Sequence, residues 1–113
     1  MNTPGKWIVV PTSTEAQQRL DLDQCLAGDL EELALSPEQW AVLSRSDLLP
    51  RLNRALGILI DDYEDASIQD RAALVTALSI LMQAATPGDE LIHQLIALNR
   101  LALERNTGLF FYF

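Results

Sequence analysis

The chain is 113 residues long, 49% apolar, and carries sixteen acidic against eight basic side chains, for a formal net charge of −8 and a pI near 4.4. This length fits one domain over residues 1–113, and the apolar fraction is too high for a disordered chain. A surface this acidic repels phosphate groups, which argues against direct nucleic-acid binding and against an anionic membrane. The composition instead favours a basic protein as the partner.

The cysteine content and the apolar segments predict a cytoplasmic protein. Cys25 is the single cysteine, so no internal disulfide can form. The longest uncharged stretch, residues 72–88, is shorter than the ~20 apolar residues that span a bilayer. The apolar run near the N-terminus, at residues 7–10, is too short for the core of a secretory signal.

Both ends of the sequence are strand-like. Residues 7–10 form a β-branched and aromatic run between Gly5 and Pro11, which predicts a short strand. Residues 109–113 are all apolar or aromatic and would promote aggregation if they were left uncovered. We therefore expect the two ends to pair in a small two-stranded sheet, in a direction that the sequence leaves open.

A long helical region is predicted after the first strand. Thr12 and Glu15 have the spacing of a capping box, in which each side chain bonds a free backbone N–H. Leucines then recur at helical spacing, at Leu22, Leu26, Leu30 and Leu33. The pattern predicts helix between residues 13 and 35, either as one helix or as two that are broken at Gly28.

Three further helices and a central one complete the predicted fold. Ser36 followed by Pro37 is a helix start, and a third helix follows Asp47. A fourth, over residues 67–85, carries no charge from Ala72 onward and is predicted to be buried on nearly all sides. A fifth begins after Pro87. The prediction is a mainly α fold of about five helices around the helix at 67–85, with the small terminal sheet at its edge.

Two acidic blocks are the candidate partner-binding residues. The first lies in the first helical region, and residues 12–49 hold eight acidic and two basic side chains. The second follows the predicted third helix, where the negative end of the helix dipole disfavours carboxylates unless a cation compensates them. The predicted binding residues are Asp21, Asp23, Asp29, Glu31 and Glu32 in the first block and Asp61, Asp62, Glu64 and Asp65 in the second. The alternative interpretation for both blocks is an ordinary solvated surface.

Catalytic and metal-binding patterns are weak. Asp61, Asp62 and Asp65 match a DDxxD magnesium motif, but the chain lacks the second acidic motif that such enzymes need. His93 is the single histidine and has no cysteine or second histidine near it in sequence, which argues against nucleophilic and zinc chemistry. The sequence therefore predicts no catalytic residue, no metal and no cofactor, and hence no enzyme.

In size, acidity, helical patterning and its two acidic blocks, the chain resembles bacterial toxin immunity proteins, including those of contact-dependent growth inhibition. The resemblance implies a non-catalytic inhibitor whose acidic surface neutralises a basic cognate toxin domain, for instance a nuclease. An acidic secretion chaperone and a helical regulatory adaptor are the alternatives. The resemblance carries over no site residue and leaves the oligomeric state open.

Overall fold

Four strands and five helices form the described part of the chain, which is residues 5–113 of the computed structural model. In chain order they are β1 (Lys6–Pro11), α1 (Thr14–Asp21), β2 (Leu30–Leu35), α2 (Pro37–Arg45), α3 (Leu48–Leu56), β3 (Asp65–Ile68), α4 (Arg71–Ala84), α5 (Glu90–Arg105) and β4 (Leu109–Tyr112). No helix among these residues has the length and apolar character that crossing a bilayer requires.

The two ends of the chain lie side by side in the middle of one antiparallel sheet, whose order is β2-β1-β4-β3. Ile8 of β1 lies opposite Phe111 of β4 on one side and opposite Leu33 of β2 on the other. The predicted pairing of the chain ends is thus confirmed, and its direction is antiparallel.

The predicted fold class is wrong in its sheet, which has four strands instead of two. β2 reads Leu-Glu-Glu-Leu-Ala-Leu, all strong helix formers, and its leucine spacing suggested a helix. Pairing with β1 overrides that preference, so the region predicted as helix at 13–35 ends as helix at Asp21. The sequence does not predict β3, because the strand has only four residues and the helix predicted at 67–85 overlaps two of them.

The sheet has an inner face that packs against helices α2 to α5. Residues directly opposite each other in an antiparallel ladder point to the same face. Ile8, Leu33, Phe111 and Ala66 therefore share the inner face, where Ile8 and Phe111 are buried in the main core. The buried leucines of α3, α4 and α5 cover this face and close the core.

The other face of the sheet, which we call the outer face, is covered only in part. The alternation places Trp7, Val9 and Tyr112 on it. Val9 and Ala16 of α1 are buried yet lie outside the main core, because α1 packs on this side of β1. Trp7 and Tyr112 are only partly buried, so the aromatic end of the outer face stays accessible.

The central helix is α5 and not the one predicted over residues 67–85. α4 begins at Arg71 with Asp70 as its N-cap and packs against α3 and α5 on one side. On its other side Val75 is 53% exposed and Met82 is 52% exposed, so the expectation of nearly complete burial is wrong. α5 lies against the sheet and buries five residues, namely Ile92, Leu95, Ile96, Asn99 and Ala102.

Local signals fixed several helix ends as expected. Ser36 and Gln39 form a capping box at the start of α2, with Ser36 Oγ accepting from Gln39 N at 3.1 Å. α3, however, ends at Gly57, whose φ of +65° is a left-handed conformation that glycine adopts without a steric cost. The second acidic block therefore follows a loop, and the predicted conflict with a helix dipole does not arise.

Asn99 is a polar side chain in an apolar core. It is fully buried, and neither its Oδ1 nor its Nδ2 has a hydrogen-bond partner within residues 5–113. Because a buried amide without partners costs about 1–3 kcal/mol, we expect Asn99→Leu, which has a similar shape, to raise the free energy of unfolding by about that amount. Urea denaturation measures the change.

Asn53 provides the matched control. Its Nδ2 donates to the carbonyl of Ile60 at 3.1 Å, and the N–H of Ile60 donates to its Oδ1 at 2.7 Å. Asn53→Leu leaves both backbone groups without these partners, so it should lower the free energy of unfolding by about 1–3 kcal/mol. Equal destabilisation by both substitutions would contradict the assignment of Asn99 as an unsatisfied amide.

Candidate functional site: an acidic and aromatic sheet face

The structure divides the nine predicted binding residues among four places. Asp29 is buried, Glu31 lies on the inner side of β2, and Asp61, Asp62 and Glu64 lie in the turn before β3. The remaining four surround the aromatic end of the outer face, namely Asp21, Asp23, Glu32 and Asp65. Both acidic blocks thus contribute to one surface, but only these four of the nine predicted residues lie on it.

Asp29 stabilises the fold and is not available to a partner. Arg19 donates to both carboxylate oxygens of Asp29, at 2.7 Å each, and the N–H of Leu26 donates to Oδ2 at 2.8 Å. These donors lower the pKa of Asp29 to about 2, with the Arg19 hydrogen bond as the largest cause. The pair ties the end of α1 to the turn that leads into β2.

Asp62 is also held within the chain. Its carboxylate forms a hydrogen-bonded ion pair with Lys6, whose Nζ also donates to the carbonyl of Phe113 at 2.8 Å. The same ammonium lies 4.8 Å from the ring centres of Trp40 and Tyr63. Lys6 therefore offsets part of the charge of the second acidic block.

Glu31 faces away from the outer face. It lies opposite Val10, which points into the core, so Glu31 projects on the α5 side of the sheet. There it lines a cavity of about 510 Å³ together with Arg100, Glu104 and Arg105. The charges around Glu31 are mixed, and Glu32 borders both this cavity and the outer face.

The four carboxylates Asp21, Asp23, Glu32 and Asp65 form what we call the outer-face cluster. Asp65 lies directly opposite Tyr112 in the sheet. Partial burial raises the pKa of Tyr112 above its ordinary value, and the charges of Asp65 and Asp21 add to the shift. Asp23 and Glu32 border the same tyrosine from the other side.

A groove of about 570 Å³ runs through this cluster, and we call it the outer groove. It is lined by Trp7, Val9, Leu20, Asp23, Leu30, Glu32 and Tyr112. Its walls combine an indole, a phenol and two carboxylates over an apolar floor. Arginine and lysine side chains are absent from its lining in the described residues, so its potential is negative.

The sheet sets the spacing of the cluster. Asp65 is on one edge strand and Glu32 on the other, three strand steps apart. Neighbouring strands lie about 4.8 Å apart, so the two edges are separated by about 14 Å. Rigid backbone pairing therefore holds two separated negative charges with an aromatic surface between them.

Trp7 and Tyr112 are site residues that the sequence did not identify as such. The sequence places both in the strand-like runs near the chain ends and gives neither a role in partner binding. Alternation along β1 and β4 could have indicated them, because the core takes Ile8 and Phe111 and leaves their neighbours on the opposite face. Trp40, the other tryptophan, packs edge-to-face on Phe113, with ring centres 4.8 Å apart.

The described residues of the site include groups that can bind a partner, but no metal-ligand set and no activated nucleophile. No set of three or more histidine, cysteine or acidic side chains in residues 5–113 has the geometry of a metal site. Cys25 is exposed as a residue, but some loss of solvent around its thiol, together with the charges of Asp29 and Asp23, raises the pKa of the thiol. The raised pKa disfavours the reactive thiolate. The arrangement is suited to attracting and holding a cation.

Comparison with known proteins gives one informative match. No protein-family model matches the chain, and no curated protein matches it in sequence. Its structure is similar to that of the Neisseria DNA mimic protein DMP12, with a TM-score of 0.64 over 96% of this chain and 99% of that one, at 11% sequence identity. At this identity the match establishes a shared fold over nearly the whole length of both proteins.

The match also corrects the partner predicted from the sequence. That prediction was a basic protein, in particular a cognate toxin domain, with no direct binding of nucleic acid and no membrane. The similar structure is described as a DNA mimic protein, and no comparison names a toxin or an immunity protein.

The Asp29–Arg19 pair gives a testable pH dependence. Because the pKa of Asp29 is lowered from 3.8 to about 2, its ionised form stabilises the fold above about pH 4, and this contribution is lost as the pH falls through about 2. We expect Asp29→Asn to be less stable than the wild type at pH 7 and to lose less stability between pH 4 and pH 2. Circular dichroism melting curves across this range measure both effects.

Asp47→Asn is the control for this pH series. Asp47 is the N-cap residue of α3, but its side chain makes no cap hydrogen bond. Its profile should follow that of the wild type. A parallel fall in stability for the wild type and Asp29→Asn below pH 4 would show that the pair does not contribute as described.

Proposed function

We propose that this chain is a non-catalytic binding protein that uses its outer face to occupy the DNA-binding surface of another protein. The observation that carries the proposal is the convergence of Asp21, Asp23, Glu32 and Asp65 on one sheet face. These residues come from two acidic segments that are far apart in sequence. The fold shared with a DNA mimic protein supports the proposal.

This proposal replaces the toxin domain with a DNA-binding protein as the partner. Such proteins present lysine and arginine side chains to phosphates, and duplex DNA carries one negative charge per ~1.7 Å of its axis. Carboxylates on a rigid frame can take the place of those phosphates. A protein that binds the outer-face cluster is then prevented from binding DNA.

The dimensions of the face fit this use. The edge strands that carry Glu32 and Asp65 are about 14 Å apart, and the two residues are offset by two positions along the strands, so their backbones are roughly 16 Å apart. This separation is of the same order as the ~12 Å width of the major groove, across which two phosphate chains face each other. The net charge of −8 also accelerates encounter with a basic surface at low ionic strength. Inhibition of a toxin in the manner of an immunity protein stays a prediction of the sequence resemblance.

Charge neutralisation of the outer-face cluster tests the proposal. We expect the triple variant Asp21→Asn, Glu32→Gln, Asp65→Asn to weaken binding to the partner about tenfold or more and to make binding less sensitive to salt, because it removes the charges that stand in for phosphates. The partner is isolated from the native host on immobilised wild-type chain, with duplex DNA as the eluting ligand. Surface plasmon resonance then measures the affinities.

A second triple variant controls for net charge. Glu38→Gln, Asp47→Asn, Glu90→Gln removes the same number of charges from the first turns or caps of α2, α3 and α5, away from the outer face. It should bind like the wild type. Retained proteins that duplex DNA does not elute, or equal losses in both triple variants, would contradict the proposal.

A further inference from the structure

The outer groove has features that a negative surface alone does not need. Its walls include Trp7 and Tyr112, and its floor includes the aliphatic side chains of Val9, Leu20 and Leu30. A mimic of the phosphate backbone requires only carboxylates at the right spacing. The aromatic walls and apolar floor must therefore be explained by the kind of cation that the groove receives.

The carboxylates of the groove form no ion pair with a basic residue in the described part of the chain. The ion pairs among residues 5–113 are Lys6–Asp62 and Arg19–Asp29. Arg19, the basic residue next to the groove residue Leu20, uses its Nε and one terminal nitrogen on Asp29. Asp23 and Glu32 are exposed and available to a cation from outside.

Arginine and lysine differ in how they would use this groove. A guanidinium group is planar and weakly hydrated, stacks on aromatic rings, and bonds a carboxylate through two parallel N–H groups. A lysine ammonium is compact and strongly hydrated, so it loses more hydration on entering an apolar groove. The aliphatic stem of either residue can lie on an apolar floor, and either cation can lie over an aromatic ring, but only the planar guanidinium can stack on a ring while it bonds a carboxylate through two N–H groups.

We propose that the outer groove binds an arginine side chain of the partner, in preference to lysine, between the rings of Trp7 and Tyr112 and the carboxylates of Asp23 and Glu32. The inference deepens the proposed function and rests on it, since it specifies which basic residue of the DNA-binding partner is recognised. It predicts partners that read DNA with arginine at the centre of their contact surface.

Two peptides test the preference without the partner. One is a capped peptide with three arginines alternating with glycines, and the other has lysines in the same positions. We expect the arginine peptide to bind at least about threefold more tightly, because the guanidinium stacks on the rings, bonds a carboxylate through two N–H groups and loses less hydration than an ammonium. Titration of ¹⁵N-labelled protein at low salt measures both affinities, with the indole N–H of Trp7 as the local reporter.

Two tyrosine variants test whether the preference for arginine depends on the outer groove. Tyr112→Leu removes a wall of the groove and should bring the two affinities close together. Tyr63 is 89% exposed in the turn before β3 and does not line the groove, so Tyr63→Leu should keep the preference. Circular dichroism spectra of both variants confirm that each is folded.

The outcomes separate this inference from the proposed function. Equal affinities for the two peptides, or no change at the Trp7 indole with either, would overturn the arginine preference. In that case elution of the partner by duplex DNA still decides the proposed function. A clear preference for arginine that is lost in Tyr112→Leu and kept in Tyr63→Leu supports the inference even if duplex DNA elutes no partner.

Discussion

Antiparallel pairing between β1 and β4 is the interaction on which the rest of this structure depends. It joins the two ends of the chain at the centre of the sheet, so β2 and β3 can only add at the edges. Alternation along the two central strands then sorts their side chains. Ile8 and Phe111 enter the core, while Trp7 and Tyr112 remain on the opposite face.

The same arrangement explains why acidic residues from distant segments meet. β2 and the end of α1 bring Asp23 and Glu32 to one side of Tyr112, and β3 brings Asp65 to the other. Two basic residues act within the fold, Arg19 on Asp29 and Lys6 on Asp62. They neutralise carboxylates that hold the loops together and leave the outer-face cluster without a basic partner in the described residues.

Local sequence pattern is sufficient to predict some elements of this fold and not others. The strand-like chain ends and the capping box at Ser36 follow from side-chain chemistry within a few residues, and α3 starts after Asp47 as predicted although the Asp47 side chain makes no cap hydrogen bond. The edge strand β2 does not follow in this way, because its leucines and glutamates favour a helix and only pairing with β1 makes it extended. Asp29 and Glu32 looked equivalent in sequence, although one is buried on Arg19 and the other lines the groove.

The sequence by itself determined that this chain is small and acidic, with strand-forming apolar runs near both ends and several capped helices. These properties depend on composition and on contacts between near neighbours along the chain. Only the tertiary structure decided which carboxylates face a partner and that Trp7 and Tyr112 lie among them. The reason is that a residue's face in a sheet is set by its register with strands far away in sequence, and a shift of one residue would exchange the two faces.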